Sequence, residues 1–380
     1  MINTIRSTGN VIAVRRVVDM AKKIDVLEPD SAPLLTLTKK IDKKAAINPK
    51  FNWMEEESLT KYDTVNFSTN YTSGATEVRV DNVTRFRAGD VVKDVSTGEQ
   101  LLVTALAGTD SLTVLRGWGS TSATTISDGE YLAIVGNANE EFASKRVPKV
   151  MDQVEKTNYT QIFRTPFGIS GTADNSEMYG GGDLAHQRMT QMIEHEKEIE
   201  RSFWFGEPKE YTSGTHPRRA TGGVDYWITT NATDATGTLT ESEFEDFLRT
   251  GFRYGSKTKW LFAAPLIIQA INSWAKDNIR ILPKEKTFGI NLAQWVTPFG
   301  TVNLVLNNLF TETPTFAGYA YLIDPEQLTY RFMQNRDTRL KTNIQANDAD
   351  GEEDEYITEA GLQFMQEKKA AQLYNVTSYT

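Results

Sequence analysis

The chain holds three histidines, His186, His195 and His216, and 50 Asp and Glu residues, the side chains from which metal sites and acid–base pairs are built. His186 and His195 are nine residues apart. On one helix they would face opposite sides, about 13 Å apart along the axis, and could not share an ion. A nucleophile elbow needs Gly-x-Ser-x-Gly, and Gly168, Ser170 and Gly171 miss its second glycine. A phosphate-binding loop needs Gly, four residues, then Gly-Lys and Ser or Thr, so that amides and a lysine converge on the phosphates. No stretch fits. The clusters Gly117 to Gly119 and Gly180 to Gly182 also lack dinucleotide spacing. The triple glycine reads as a turn ahead of a helix, although a helix N-terminus is also where an anion can bind.

The acidic run Asn347, Asp348, Asp350, Glu352, Glu353, Asp354 and Glu355 surrounds Gly351 and invites a calcium reading. With Gly351 sixth in a calcium loop, Ala346 would stand first and Ile357 twelfth, where oxygen ligands are required. A solvated acidic loop is the stronger reading, a cation shared between neighbouring subunits the weaker. Paired carboxylates for glycoside hydrolysis are set in space rather than sequence, so fifty candidates select none. Trp118, Trp204, Trp227, Trp260, Trp274 and Trp295 lie mostly among apolar neighbours, which favours packing over sugar or base stacking. No residue is therefore assigned as catalytic, cofactor-binding or metal-ligating. No cofactor is expected, and no enzyme.

With no cysteine there is no disulfide, thiolate zinc site or thiol nucleophile. The longest apolar runs, Val11 to Val14 and Leu261 to Ile268, are far short of a bilayer span of about 20 residues, so no membrane partner is expected. Arg15 and Arg16 follow the first apolar run, the wrong order for a secretory signal. Charge is uneven. The first fifty residues carry ten Lys or Arg against five Asp or Glu, about +5, so the overall −9 leaves about −14 on the remaining 330. A basic arm on an acidic body can reach nucleic acid or an acidic neighbour, while a lysine-rich solvated surface around Lys39 to Lys44 is the plainer reading.

The elements follow from periodicity and breakers. Residues 1–50 read as an extended arm with one amphipathic helix near Val11 to Ile24, interrupted by Pro29, Pro33 and Pro49. Phe51 to Phe67 reads as a long ribbon. Residues 74–138 show strand-like runs at Thr76 to Val80, Asp90 to Asp94, Glu99 to Ala105, Ser111 to Arg116 and Glu130 to Val135, each bounded by glycine. That spacing predicts a small antiparallel sandwich or barrel inserted in the chain. Asp183, a good N-cap, opens a stretch without Pro or Gly to Phe205, a helix roughly 33 Å long. Thr240 and Glu243 form a capping pattern for a helix through Thr250. A strand at Lys259 to Ala263, a helix at Pro265 to Asp277 and strands at Gly300 to Asn307, Gly318 to Ile323, Leu328 to Met333 and Leu340 to Ile344 complete an α+β core. Two strands, near Ile357 to Glu367 and Ala370 to Val376, close the chain.

Arm, ribbon, β insertion, glycine-led helix, α/β core and final strands resemble, in that order, the HK97-like fold of tailed-bacteriophage head proteins. The chain more specifically resembles the SU10-type major capsid proteins, which carry a β-rich insertion in the extended loop. The resemblance rests on Val83 to Val92 (VTRFRAGDVV), Gly129 to Val135 (GEYLAIV), Asn158 to Phe163 (NYTQIF), Ser170 to Ala173 (SGTA), Tyr179 to Gln187 (YGGGDLAHQ) and Pro298 to Val302 (PFGTV). Each motif is short; their order is what is specific.

This resemblance implies an arm at 1–50 and an extended loop at 51–170 with its insertion at about 74–138. It also implies a spine helix and peripheral domain at 171–257, an axial domain at 258–345 and a peripheral return segment at 346–380. It further implies a virion protein, assembled in the host cytoplasm, that forms pentamers and hexamers around double-stranded DNA without sequence preference. Decoration, scaffolding and portal proteins are the expected further partners, with scaffolding on a separate chain. Two other classes share parts of the pattern. A tail or baseplate protein would lack the long helix, and a carbohydrate-active enzyme with a β accessory module would need a signal peptide and a cleft carboxylate pair.

Overall fold

The strand Thr258–Ala263 shows how the core is built. All but its first residue are buried, with Trp260 and Phe262 entering one apolar cluster and Leu261 and Ala263 another. Alternation with period two and both faces covered gives the continuous apolar run seen in the sequence. Ala320–Ile323 repeats the pattern, with Tyr321 and Ile323 on one side and Ala320 and Leu322 on the other. The computed structural model describes residues 32–142, 145–146, 148–176, 183–212, 214–278, 281–283 and 293–380. The chain divides into two compact units, Met1–Trp53 with Lys156–Thr380, and Met54–Glu155.

The first unit contains a seven-stranded mixed sheet in the order Ala232–Leu239, Ala371–Tyr379, Ala320–Ile323, Thr258–Ala263, Thr301–Leu306, Ala293–Val296 and Ile281–Pro283. Helices Glu241–Gly251 and Pro265–Asn278 cover one face through Phe244, Phe247, Leu248, Ile267 and Ile271. The capping box is formed, with Thr240 N–H donating to Glu243 Oε2 at 3.0 Å and Glu243 N–H to Thr240 Oγ1 at 3.3 Å. The other end of that helix is tied by the buried Lys259, whose ammonium donates to the carbonyls of Gly251 (2.6 Å), Tyr254 (2.7 Å) and Lys369. Burial lowers the Lys259 pKa to about 8.

A five-stranded sheet runs Lys43–Ala46, Leu328–Met333, Gly351–Phe364 and Gln161–Ser170, with Arg339–Lys341 also paired to Gly351–Phe364. Helix Asp183–Phe205 packs on it, burying Ile199, Phe203 and Trp204 in the same cluster as Phe163, Tyr330 and Leu362. Pairing in this sheet joins segments from several of the expected regions. Residues 33–46, expected in the extended arm, form helix Pro33–Ile41, whose first turn tolerates Pro33 because a missing N–H costs nothing there, and a strand parallel to Leu328–Met333. Gln161–Ser170, placed in the extended loop, pairs over ten residues with Gly351–Ala360. Pro166 and Gly168 sit within that strand: it is an edge, where Pro is tolerated, and a Cβ on Gly168 would stand 2.9 Å from the Glu352 carbonyl oxygen. Pairing also cuts across residue 345. Leu328–Met333 joins the sheet under the spine helix, whereas Ala371–Tyr379 crosses back into the seven-stranded sheet.

The second unit is a six-stranded antiparallel sheet in the order Tyr62–Thr64, Tyr131–Asn137, Asp90–Asp94, Gln100–Ala107, Ser111–Leu115 and Glu77–Arg79. It owns a core that includes Val78, Phe86, Val92, Leu101, Val103, Leu112 and Leu132. Its long loop is fastened by the buried Glu99, paired in a fork with Arg116 at 2.8 Å for both oxygens and accepting from the amides of Gly117 and Thr124, each at 2.9 Å. Burial would raise the Glu99 pKa, but Arg116 and the two amides outweigh it and bring it to about 2. Gly180 to Gly182 and the stretch Val11 to Ile24 lie outside the described residues.

Candidate assembly surfaces and the polar groups behind them

The three histidines are kept apart. His195 is buried between Thr165 Oγ1 at 2.8 Å from Nδ1 and Thr358 Oγ1 at 2.7 Å from Nε2, so its ring straps the spine helix to two sheet strands. Burial first, and the positive charge of Lys39 second, lower its pKa to about 4, so the ring is neutral at pH 7. His186 is half-buried further up the helix, and His216 lies exposed just before strand Pro217–Ala220. Among the described residues no three His, Cys, Asp or Glu side chains are grouped to hold a metal ion.

Sequence reasoning missed Glu200. From the spine helix its carboxylate accepts from the backbone N–H groups of Leu34 (3.0 Å) and Leu35 (2.7 Å) and from Trp204 Nε1 (2.8 Å). It thereby caps the first turn of helix Pro33–Ile41, whose own N-cap residue, Ala32, has no side chain for the task. Burial raises its pKa to about 7 against those hydrogen bonds. A carboxylate 166 residues from the turn it caps leaves no local pattern to read.

The acidic run is only half a loop. Asn347 to Asp350 are exposed, but Gly351–Phe364 is a strand. Asp354 is buried and paired with Arg188 at 2.6 Å, and Glu355 is buried against Arg164, with Lys341 at 3.9 Å. The reading of 347–355 as a solvated loop therefore fails at its last two acids, which are held by arginine from opposite sides of the sheet pairing. Trp204, Trp260, Trp274 and Trp295 are buried in the two main clusters, and Trp118 and Trp227 are half-buried.

The ribbon is anchored by a polar clamp. Strands Lys50–Glu56 and Gln153–Tyr159 pair as a two-stranded sheet. At its base Phe51 and Trp53 point inward, Trp53 meeting Trp227 edge-on at 5.2 Å. Asn158, within the NYTQIF motif, is fully buried; its amide nitrogen donates to the carbonyls of Leu362 (2.7 Å) and Gly222 (3.1 Å), and its oxygen accepts from Gly222 N–H at 2.7 Å. A satisfied buried amide of this kind fixes a unique strand position. In the same two strands and the segment before the second, Met54 is 63% exposed, Val154 53% and Val150 77%.

The profile of the SU10 major capsid protein family matches residues 2–377. A major capsid protein of Pseudomonas phage PaMx41 is 22% identical over 326 residues, covering 82% of this chain and 77% of the relative. Among solved structures, the capsid of a native GTA particle superposes with a TM-score of 0.50 at 8% identity, covering 98% of this chain and all of the other. The capsid of Myoviridae phage XM1 gives 0.49 at 9% identity over 97% of this chain. The α+β architecture is thus the HK97-like one, and a match of this extent sets aside the tail or baseplate reading: the chain belongs to the SU10 major capsid protein family.

Proposed function

We propose that the chain is the shell subunit of a bacteriophage head, closing through pentamers and hexamers into an icosahedral container for double-stranded DNA. The observation that carries this reading is the family match from residue 2 to residue 377, which leaves neither of the two compact units outside it. The work done is burial of surface against identical copies, a stable contact requiring about 1,200 Å² or more in total. The chain carries out no catalysis of its own.

Within that shell the five-stranded sheet with the spine helix forms the peripheral domain and the seven-stranded sheet the axial domain. The extended loop comprises the ribbon strands and the unit Met54–Glu155. Exposed Met54, Val150 and Val154 support its lying over a neighbour. The basic residues of 1–50 meet DNA without reading sequence, since phosphate contacts by Lys and Arg carry none. Decoration, scaffolding and portal proteins join the shell, and assembly takes place in the host cytoplasm. Size-exclusion chromatography and electron microscopy of the purified chain test the reading. Pentamers, hexamers or closed shells are expected; a stable monomer at tens of micromolar would overturn it.

A further inference from the structure

Phe142 is fully exposed, at 106% of its reference area, and holds a φ of 66°. A bulky residue in the left-handed region is an outlier, and backbone strain of this kind clusters at ligand clamps and other functional sites. The residues before it, Asn139, Glu140 and Glu141, are exposed as well, so a phenyl ring stands beside two carboxylates. In the first unit, independently, an open cavity of about 440 Å³ is lined by Arg249, Thr250, Phe252, Arg253 and Phe299. Cavities of about 150 Å³ already admit a benzene ring. Among the described residues Arg249 pairs with the exposed Asp246 at 2.9 Å and Arg253 lies 5.3 Å from the Tyr254 ring, so both guanidiniums remain available to solvent and to an incoming acid.

We propose that Glu140, Glu141 and Phe142 form a plug that enters this cavity on a second copy of the chain. The phenyl ring lies against Phe252 and Phe299, and the carboxylates meet Arg249 and Arg253. Aromatic lining matches aromatic ring, and cation matches anion. Plug and socket are different surfaces, so the contact is heterologous. Repeated around an axis it closes a ring, where a self-complementary contact would stop at a dimer. The proposal rests on the shell-forming reading and adds to it a named pair of surfaces.

The chain has no cysteine, so Glu141→Cys with Thr250→Cys supplies its only two thiols. Assembled particles of the double variant, treated with a short bis-maleimide, should give a ladder of covalent multimers on a denaturing gel, while each single variant stays monomeric. In a second arm, Glu140→Arg with Glu141→Arg should cut particle yield at least tenfold, as should Arg249→Glu with Arg253→Glu, and the four changes together should restore it. Unchanged melting of the unassembled variants separates lost contact from lost fold. Particles that form normally yet give no ladder, or give only a faster-migrating crosslinked monomer, overturn the plug and leave the shell reading intact. A wild-type chain that forms no particles overturns both.

Discussion

Two buried titratable groups on the spine helix pull stability in opposite directions as pH changes. Glu200 has its pKa raised to about 7, so its folded form favours the proton. Its contribution is fully present below its ordinary value of 4.5 and is lost as pH rises through about 7. His195 is lowered to about 4, so its contribution is present above 6.5 and is lost as pH falls through about 4. Each effect is on the order of 3 kcal/mol at about 1.4 kcal/mol per pH unit. Between about pH 4.5 and 6.5 the two slopes offset each other. Glu200→Gln removes one of them. Its denaturant midpoint should therefore gain on the wild type by up to a few kcal/mol in free energy between pH 5 and pH 8, whatever constant offset the lost acceptor introduces. Parallel profiles for the two proteins would show that Glu200 does not titrate in that window.

At the scale of elements, what the sequence reveals depends on whether the deciding contact is local. The spine helix is found at its bounds, Asp183–Phe205, because caps and breakers act within a turn, and the Thr240 box is legible for the same reason. Strand Asp90–Asp94 lies where alternation and flanking glycine put it. Ala232–Leu239 escapes notice because its sequence, ATDATGTL, is weakly apolar and it is held as a strand by parallel pairing with Ala371–Tyr379 at the far end of the chain. Helix Pro33–Ile41 escapes because its cap comes from Glu200, and the same distance hides that residue as part of the candidate site. The plug and socket escape because exposure of Phe142 is a property of the fold, not of the triplet Glu-Glu-Phe. This contrast between local and distant control is measurable. Thr240→Ala should cost about 1 kcal/mol, the ordinary loss of an N-cap. Gly318→Ala would place a Cβ 2.1 Å from the Val376 carbonyl oxygen, forcing the turn away from the C-terminal strand, and should cost about 1–3 kcal/mol or more. Equal midpoints for the two variants in urea would refute that ranking.

At the scale of the whole molecule, the two units have separate apolar cores. The cluster around Phe86, Val92 and Leu112 draws all its members from Met54–Glu155, and the two larger clusters draw theirs from the rest of the chain. A capsid subunit gains from this division, because an inserted unit with its own core can change sequence on its outer surface without disturbing the sheets that build the shell. The division predicts two thermal transitions in calorimetry of the unassembled chain. It also predicts which of them a single change will move. Glu99 is buried within the inserted unit and holds Arg116 and two loop amides. Glu99→Gln leaves the guanidinium buried without its counter-ion, a loss of about 3–5 kcal/mol for a broken buried pair. For a unit of this size that amounts to a drop of well over 10 °C in one transition, at about 4–8 °C per kcal/mol. The other transition should stay where it is. A single cooperative transition that shifts as a whole in Glu99→Gln would mean that the two cores melt together and that the insertion is energetically part of the shell-forming unit.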